Sequence, residues 1–531
     1  MITRRTFIKQ MTLAGGAIAL APIYRSRLMG QPLGQYFCLN PLIDSNPDAV
    51  FIMLTNVDNK LNATAIKEAG LAFGRSVFTT TDDALTGMPM DYSYAIKPNL
   101  TSRGKWMQGY TVEGTMGVIT DANFVEGVIE SMKEVGISAD NIFIREVNGV
   151  ENLDEGGYTE MGYNTGADVQ VISDPIGSIS PGQVTWKDAP QGVFFKKIPY
   201  LWPVNSPNSW LLNISKFKAH SMGLTLCAKN LQGSIVANYQ QHCSSYKSNM
   251  SIASENIQPN VWTTIKTNYD RHVAAGIPRW TTAGWDFNGG LGMETWASRC
   301  LDNNSINPAG LHVIEGIYGR DGNFVVGPHD GFAQDFMTNV IIFGKNAFHV
   351  DIIGHWLGGH EPGNLGLFHL ALERGLSSHL NPMNIPVYEW QSNGSATLKT
   401  LTDFDRTPLL TRYMKQASED EYHMLDQPYE YPTSLPNGDP VTAPNRIALH
   451  QNYPNPFNPQ TTIPFDVHTS GPIRLDVFDL RGKLVDVLAD GNYQQGSYRI
   501  VWNRRNLPSG TYFYRLRTDS NTLTKSMVLL K

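Results

Sequence analysis

Between residues 36 and 400 two kinds of apolar pattern alternate along the chain. Residues 49–54 (Ala-Val-Phe-Ile-Met-Leu) are apolar without a break, as in a strand covered on both faces. Residues 93–97 form a second such run, and Pro98 stops it. Asp121 then offers a helix cap. Phe124, Val125, Val128, Ile129, Met132 and Val135 fall on one face of a helix that Gly136 ends. Residues 141–147 return as a strand, and strand, helix, strand implies a right-handed parallel crossover. The same reading predicts strands at 209–214 and 311–315, and helices near 333–343 and 365–374, the last ended by Gly375. Residues 36–400 are thus expected to be an α/β core, a mostly parallel sheet with helices on both faces.

The pattern changes toward the end. Residues 401–446 are polar and Pro-rich, as in a linker or wrapping segment. From 447 to 531 apolar residues recur every second position. Ile473, Leu475 and Val477 oppose Arg474 and Asp476. Tyr498, Ile500 and Trp502 form a second such set, and Tyr512, Tyr514 and Leu516 a third. Period two, with turn residues between the runs, predicts a small Ig-like β-sandwich. At the other end, a basic Arg4-Arg5 pair precedes a short apolar run and Ala19-Leu20-Ala21, which reads as a signal peptide over residues 1–30. That run falls short of the roughly 20 residues a spanning helix needs, and no later run reaches that length. The mature chain is therefore expected to carry no transmembrane segment.

Composition narrows the function. Charged residues make up 17% of the chain, below the usual share of about 25%, as suits a secreted, loop-rich protein. A formal net charge of −6 gives no sign of a nucleic-acid binder. The cysteines Cys38, Cys227, Cys243 and Cys300 include no C-x-x-C pair, so an iron–sulfur cluster or structural zinc is not expected. Cys227 and Cys243 are the nearest pair should a disulfide form; four buried thiols are the alternative.

Chemistry-bearing residues gather after the predicted strands. Lys97 and Asn99 follow the second. Lys216, Lys218 and His220 follow the strand ending near Ile214, and Lys229 and Asn230 come shortly after. In open α/β sheets ligands bind beyond the carboxyl ends of the strands. These cations persist together most easily opposite a small anion, and individual pairing or solvation is the alternative. The expected roles are anion holding for Lys97, Lys216, Lys218 and Lys229, orientation for Asn99 and Asn230, and proton transfer for His220. A second set, His349, His355, His360, His369 and His379, or His220 with His242, leaves a His-ligated metalloprotein as a further alternative. Pro362 follows His360-Glu361, however, so H-E-x-x-H is absent. No G-x-G-x-x-G, Walker A or G-x-S-x-G pattern is present.

Three resemblances add to this reading. Arg4-Arg5 with Phe7, Ile8 and Lys9 resembles a twin-arginine signal, which implies export of a folded chain by the twin-arginine translocase. Residues 452–458 (Asn-Tyr-Pro-Asn-Pro-Phe-Asn), 480–483, 507–513 and 525–531 closely resemble the C-terminal sorting domain of type IX secretion substrates. That implies recognition by an outer-membrane translocon, then release or surface attachment. Residues 96–99 (Ile-Lys-Pro-Asn), 214–220 (Ile-Ser-Lys-Phe-Lys-Ala-His), 226–233 (Leu-Cys-Ala-Lys-Asn-Leu-Gln-Gly), 315–319 and 372–376 are similar to the domain of unknown function 362 family. Ser215 stands where that family often has Pro, and the ferredoxin-type cysteines of some members are absent. The resemblance implies no defined activity or cofactor. The expectation is an exported or surface-displayed protein whose core binds an anionic small molecule as an enzyme, or as a non-catalytic binding protein.

Overall fold

The computed structural model describes residues 34–529 except 85, 221–222, 240–251, 279–284, 286–288, 307–308, 412–428, 432–446, 450–451, 453–454, 456, 468–469, 480–482, 495, 505–506 and 519–521. The segment 1–30 expected as a signal peptide, His242 and Cys243 lie outside the described residues. The chain divides into two compact units, Met1–Tyr431 and Pro432–Lys531.

The first unit is built on a ten-stranded sheet. Its strands are β1 (Val50–Leu54), β2 (Ser93–Pro98), β3 (Ile142–Glu146), β4 (Asp168–Val171), β5 (Ser209–His220), β6 (Gly223–Thr225), β7 (Leu311–Arg320), β8 (Asp335–Gly344), β9 (Val387–Trp390) and β10 (Ala396–Lys399). Their order is β10-β9-β1-β8-β7-β5-β2-β3-β4, with β6 folded back on β5. The run β7-β5-β2-β3-β4 is parallel throughout, as is β9 on β1. β8 runs antiparallel between β1 and β7.

Alternate residues of these strands feed two cores. Phe51, Met53, Ile96, Ile144, Leu212, Ile214 and Val313 face α1 (Ala63–Val77) and α2 (Ala122–Glu134). Val50, Ile52, Phe217, Ala219 and Ile314 face the other way. There they meet α3 (Cys227–Asn230), α4 (Gly290–Ile306), α5 (Ala347–Leu357) and α6 (Gly366–Glu373). Burial on both faces is why these strands read as unbroken apolar runs. Asn62 caps α1 by accepting from Ala65 N at 3.1 Å, and Asp121 caps α2 by accepting from Asn123 N at 2.8 Å. Residues 401–411 run across the second core, burying Leu401, Phe404 and Leu409.

Two expectations change. The segment 333–343, expected as a helix, is strand β8. Val340, Ile341, Ile342 and Phe343 are consecutive and buried because both faces of β8 are covered, and such a run carries no period that separates strand from helix. Strands β5 and β7 also run past their expected ends to His220 and Arg320. Lys216, Lys218 and His220 therefore stand in a strand, not in a loop after one.

The second unit is a small β-sandwich. One sheet pairs Ile447–Leu449, Gln460–Val467 and Gly496–Asn503. The other pairs Leu484–Tyr493, Gly471–Phe478, Gly510–Arg517 and Thr522–Leu529. Ile463, Phe465, Leu475, Val477, Trp502, Tyr514 and Met527 share its core. Asn452 is buried, donating to Thr461 Oγ1 at 2.9 Å while its backbone N–H donates to Tyr514 Oη at 2.9 Å.

Candidate functional site at the sheet switch point

After β2 the chain crosses toward β3 and β4; after β5 it crosses the other way, toward β7. Adjacent parallel strands whose connections diverge leave a crevice beyond their carboxyl ends. A hollow of ≈ 390 Å³, counting its open mouth, lies there. Lys97 and Asn99 reach it from the end of β2, Glu146 from the end of β3, Lys229 and Asn230 from α3, and Gly233 from the turn that follows α3. Thr101, Asn148, Gln232 and Trp296 complete its wall.

The charges of this region are largely internal pairs. Lys97 Nζ sits 2.5 Å from Glu146 Oε2 and donates to Pro98 O at 2.6 Å and Asn230 Oδ1 at 3.2 Å. Glu146 also accepts backbone N–H groups of Val147 at 2.8 Å and Leu100 at 3.3 Å. Burial pushes the Lys97 ammonium below its usual pKa; Glu146 opposes that, and the Lys229 charge adds to it. Gly233 lies against this pair, since a Cβ there would stand 2.1 Å from Glu146 Oε1 and 2.7 Å from Lys97 Nζ.

Lys216 is sealed elsewhere. Its Nζ meets Glu315 Oε2 at 2.6 Å and lies 3.4 Å from the centre of the Tyr318 ring. Burial raises the Glu315 carboxyl, with Lys216 pulling the other way. Tyr318 donates to Asp121 Oδ2 at 2.7 Å, which ties the pair to the cap of α2. Lys218 and His220 are buried, at 3% and 4% exposure. Burial holds His220 well below the usual imidazole pKa, and the charges of Lys229 and Lys218 push the same way, so the ring is neutral. Thr411 donates its hydroxyl to the His220 carbonyl oxygen. Lys229 differs from Lys97 and Lys216: it is half-buried, lines the hollow, and forms no ion pair among the described residues.

A row of carboxamides joins the strands beneath the hollow. Asn213 Nδ2 donates to Cys227 O at 2.9 Å. Asn230 Nδ2 donates to Lys97 O at 3.1 Å and Asn213 Oδ1 at 2.8 Å. Asn99 Nδ2 donates to Asn230 Oδ1 at 3.1 Å. Asp351 of α5 holds the short helix α3 that carries Lys229, accepting from Cys227 N at 2.7 Å and Ala228 N at 2.9 Å. Burial raises its carboxyl to about 7.

The structure thus brings Lys97, Asn99, Lys229 and Asn230 into one wall, while Lys216, paired with Glu315, and Lys218 and His220 are not in its lining. Glu146, Asn213, Glu315 and Asp351 were not singled out as charge or hydrogen-bond partners in the sequence. The one signal available for Glu146 was an acid that, with Arg145, closes the apolar run Ile142-Phe143-Ile144.

The histidines of 349–379 do not form one cluster: His349 and His379 pair with ring centres 5.4 Å apart, and His355 and His360 pair at 6.4 Å. His349 Nδ1 meets Asp48 O at 2.9 Å, His355 Nδ1 meets Asp351 O at 3.0 Å, His360 Nε2 meets Leu409 O at 2.7 Å and His369 Nε2 meets Gly363 O at 2.7 Å. Among the described residues no three His, Cys, Asp or Glu side chains gather as a metal site. Cys38, Cys227 and Cys300 are free and buried.

Core and tail together define a protein of two parts, an α/β domain with a crevice at its switch point and a β-sandwich that serves as an address. Residues 95–355 match the family described as domain of unknown function (DUF362), and residues 451–530 match the secretion system C-terminal sorting domain. The core is similar to the first family across those residues, and the tail makes the chain a type IX secretion substrate, secreted or held at the cell surface. No curated protein matches the chain. No described helix is long and apolar enough to cross a membrane.

Proposed function

We propose that the core of this exported protein binds a small anionic molecule in the hollow at the end of β2, with Lys229 as the countercharge. The observation that carries this reading is the half-buried Lys229, without an ion pair among the described residues, beside a Lys97–Glu146 pair that is already neutral. A partly desolvated ammonium in a concave wall attracts an anion more strongly than one in open water. In this reading Lys97 and Lys216 act mainly by holding Glu146 and Glu315, and so the strand ends, in place. Lys218 adds to the positive field. Asn99 and Asn230 orient the ligand, and the neutral His220 is the group available to exchange a proton if the bound molecule is turned over. The N-terminal segment would carry the folded core across the inner membrane by the twin-arginine route before the tail directs it outward.

Titration calorimetry of the intact protein with inorganic phosphate and small carboxylates tests the binding. At least one should bind, and Lys229→Met should weaken it about tenfold or more with unchanged circular dichroism. Equal binding by wild type and variant would remove the proposal. His220→Ala separates the enzyme from the binding protein: binding kept with turnover lost marks catalysis, and no effect on either marks a receptor.

A further inference from the structure

The short helix α3 brings Lys229 and Asn230 to the hollow, and other elements hold it from three sides. Asp351 of α5 takes its first two N–H groups, one on each carboxylate oxygen: Cys227 N at 2.7 Å on Oδ1 and Ala228 N at 2.9 Å on Oδ2. From β5, Asn213 donates to Cys227 O at 2.9 Å, and Ser215 Oγ lies 3.3 Å from Cys227 Sγ. From α4, Asn304 and Cys300 donate to Ala228 O at 3.0 and 3.4 Å. A single helical turn does not hold itself together in water, so these outside bonds decide where Lys229 stands.

One of these anchors changes its hydrogen bonding near neutral pH. Asp351 is 3% exposed and pairs with no cation among the described residues. Ionised, it accepts on both oxygens, as found here. Protonated, one oxygen becomes an O–H donor, and the N–H that faces it loses its acceptor. Burial raises this carboxyl to about 7, against the pull of the two N–H groups. The thiols and imidazoles nearest to it keep one state between pH 6 and 8. Burial lifts Cys227 of α3 well above the usual thiol pKa and Cys300 of α4 to about 12. Burial lowers His355 of α5, and His312 of β7 beside Asn213, to about 3. Beyond these stand His360, next to His355, and Lys229 itself at the far end of α3.

We infer that Asp351 is a positioning residue for the hollow: ionised, it holds α3 so that Lys229 and Asn230 meet the anion, and its protonation loosens that hold. The site then takes up anions at neutral and higher pH and gives them up in mild acid. This rests on the anion-binding reading above and names the regulation of the same site. Charge alone predicts the reverse, because an ionised Asp351 repels an anion and would weaken binding as pH rises. Calorimetry of the intact protein with acetate and with sulfate at pH 6, 7 and 8 separates the two, since neither probe changes charge over that range. Binding should tighten about threefold to ninefold from pH 6 to pH 8, as the ionised fraction of a group titrating near 7 rises from about a tenth to about nine tenths. Asp351→Asn cannot ionise and should bind at every pH as the wild type does at pH 6. Hydrogen exchange at Cys227 and Ala228 of the wild type, corrected for its intrinsic pH dependence, reads the same release without a variant and should be faster at pH 6 than at pH 8. Binding that is flat or weaker toward pH 8, a pH dependence kept in Asp351→Asn, or exchange equal at both pH values would overturn the role of Asp351 and leave the anion site standing. Binding of neither probe at any pH would overturn both readings.

Discussion

A lysine with no access to water keeps its charge only beside an acid, and Lys216 shows what that arrangement costs to disturb. Both it and Glu315 are fully buried. Removing one partner strands the other charge in a low dielectric, which costs roughly 3–5 kcal/mol. Lys216→Met should lower stability by about that amount in urea unfolding, and Lys216→Met with Glu315→Leu should regain most of it. A single-variant loss below about 1 kcal/mol would show that the pair is exposed or relaxed in solution. The lysines themselves were legible in the sequence, because they cluster after apolar runs. Their acids were not, since Glu146 lies 49 residues from Lys97 and Glu315 lies 99 residues from Lys216. Only the pairing of β2 with β3 and of β5 with β7 brings them face to face.

The helices α1 and α2 cross unusually closely, and glycines make this possible. A Cβ on Gly70 would stand 2.1 Å from Phe124 O, and one on Gly127 would stand 2.1 Å from Lys67 O. Gly70→Ala or Gly127→Ala should push the helices apart and cost roughly 1–3 kcal/mol in thermal or urea unfolding, the usual penalty of overpacking. A neutral effect at both sites would mean that the crossing is looser than described. At this level the sequence was most readable where a capping or helix-ending residue marks an end, as at Asp121 and Gly136 around α2. It was least readable in β8, where Phe343 and its neighbours are buried on both faces and leave no alternation. The same blindness shortened β5: Phe217 and Ala219 face one core while Lys216 and Lys218 alternate with them, so the strand resembles a polar loop although it continues to His220.

For the molecule as a whole, several imidazoles set the response to acid. Burial lowers the pKa of His312 and of His355 to about 3, and of His349 to about 4. In the unfolded chain a histidine takes a proton near 6.5. Their contribution is present above about 6.5 and is lost as pH falls toward the folded values, by up to about 1.4 kcal/mol per pH unit for each. Asp351 works in the opposite sense. Its folded pKa of about 7 lies above the unfolded value, so its contribution is complete below about 3.9 and is lost as pH rises through 7. The urea midpoint should therefore fall between pH 6.5 and 4, and Asp351→Asn should make that fall steeper. A flat profile in both proteins would contradict the burial of these groups.

Among the described residues, the core of the C-terminal sandwich is drawn from Ile447 to Leu529. Its passport is thus printed on separate paper. A substitution that empties the crevice without unfolding the domain leaves the translocon an unaltered credential, so defective forms still travel outward. Selection on the crevice and selection on departure from the cell can act on different parts of one chain, and variants harvested from the medium sample both.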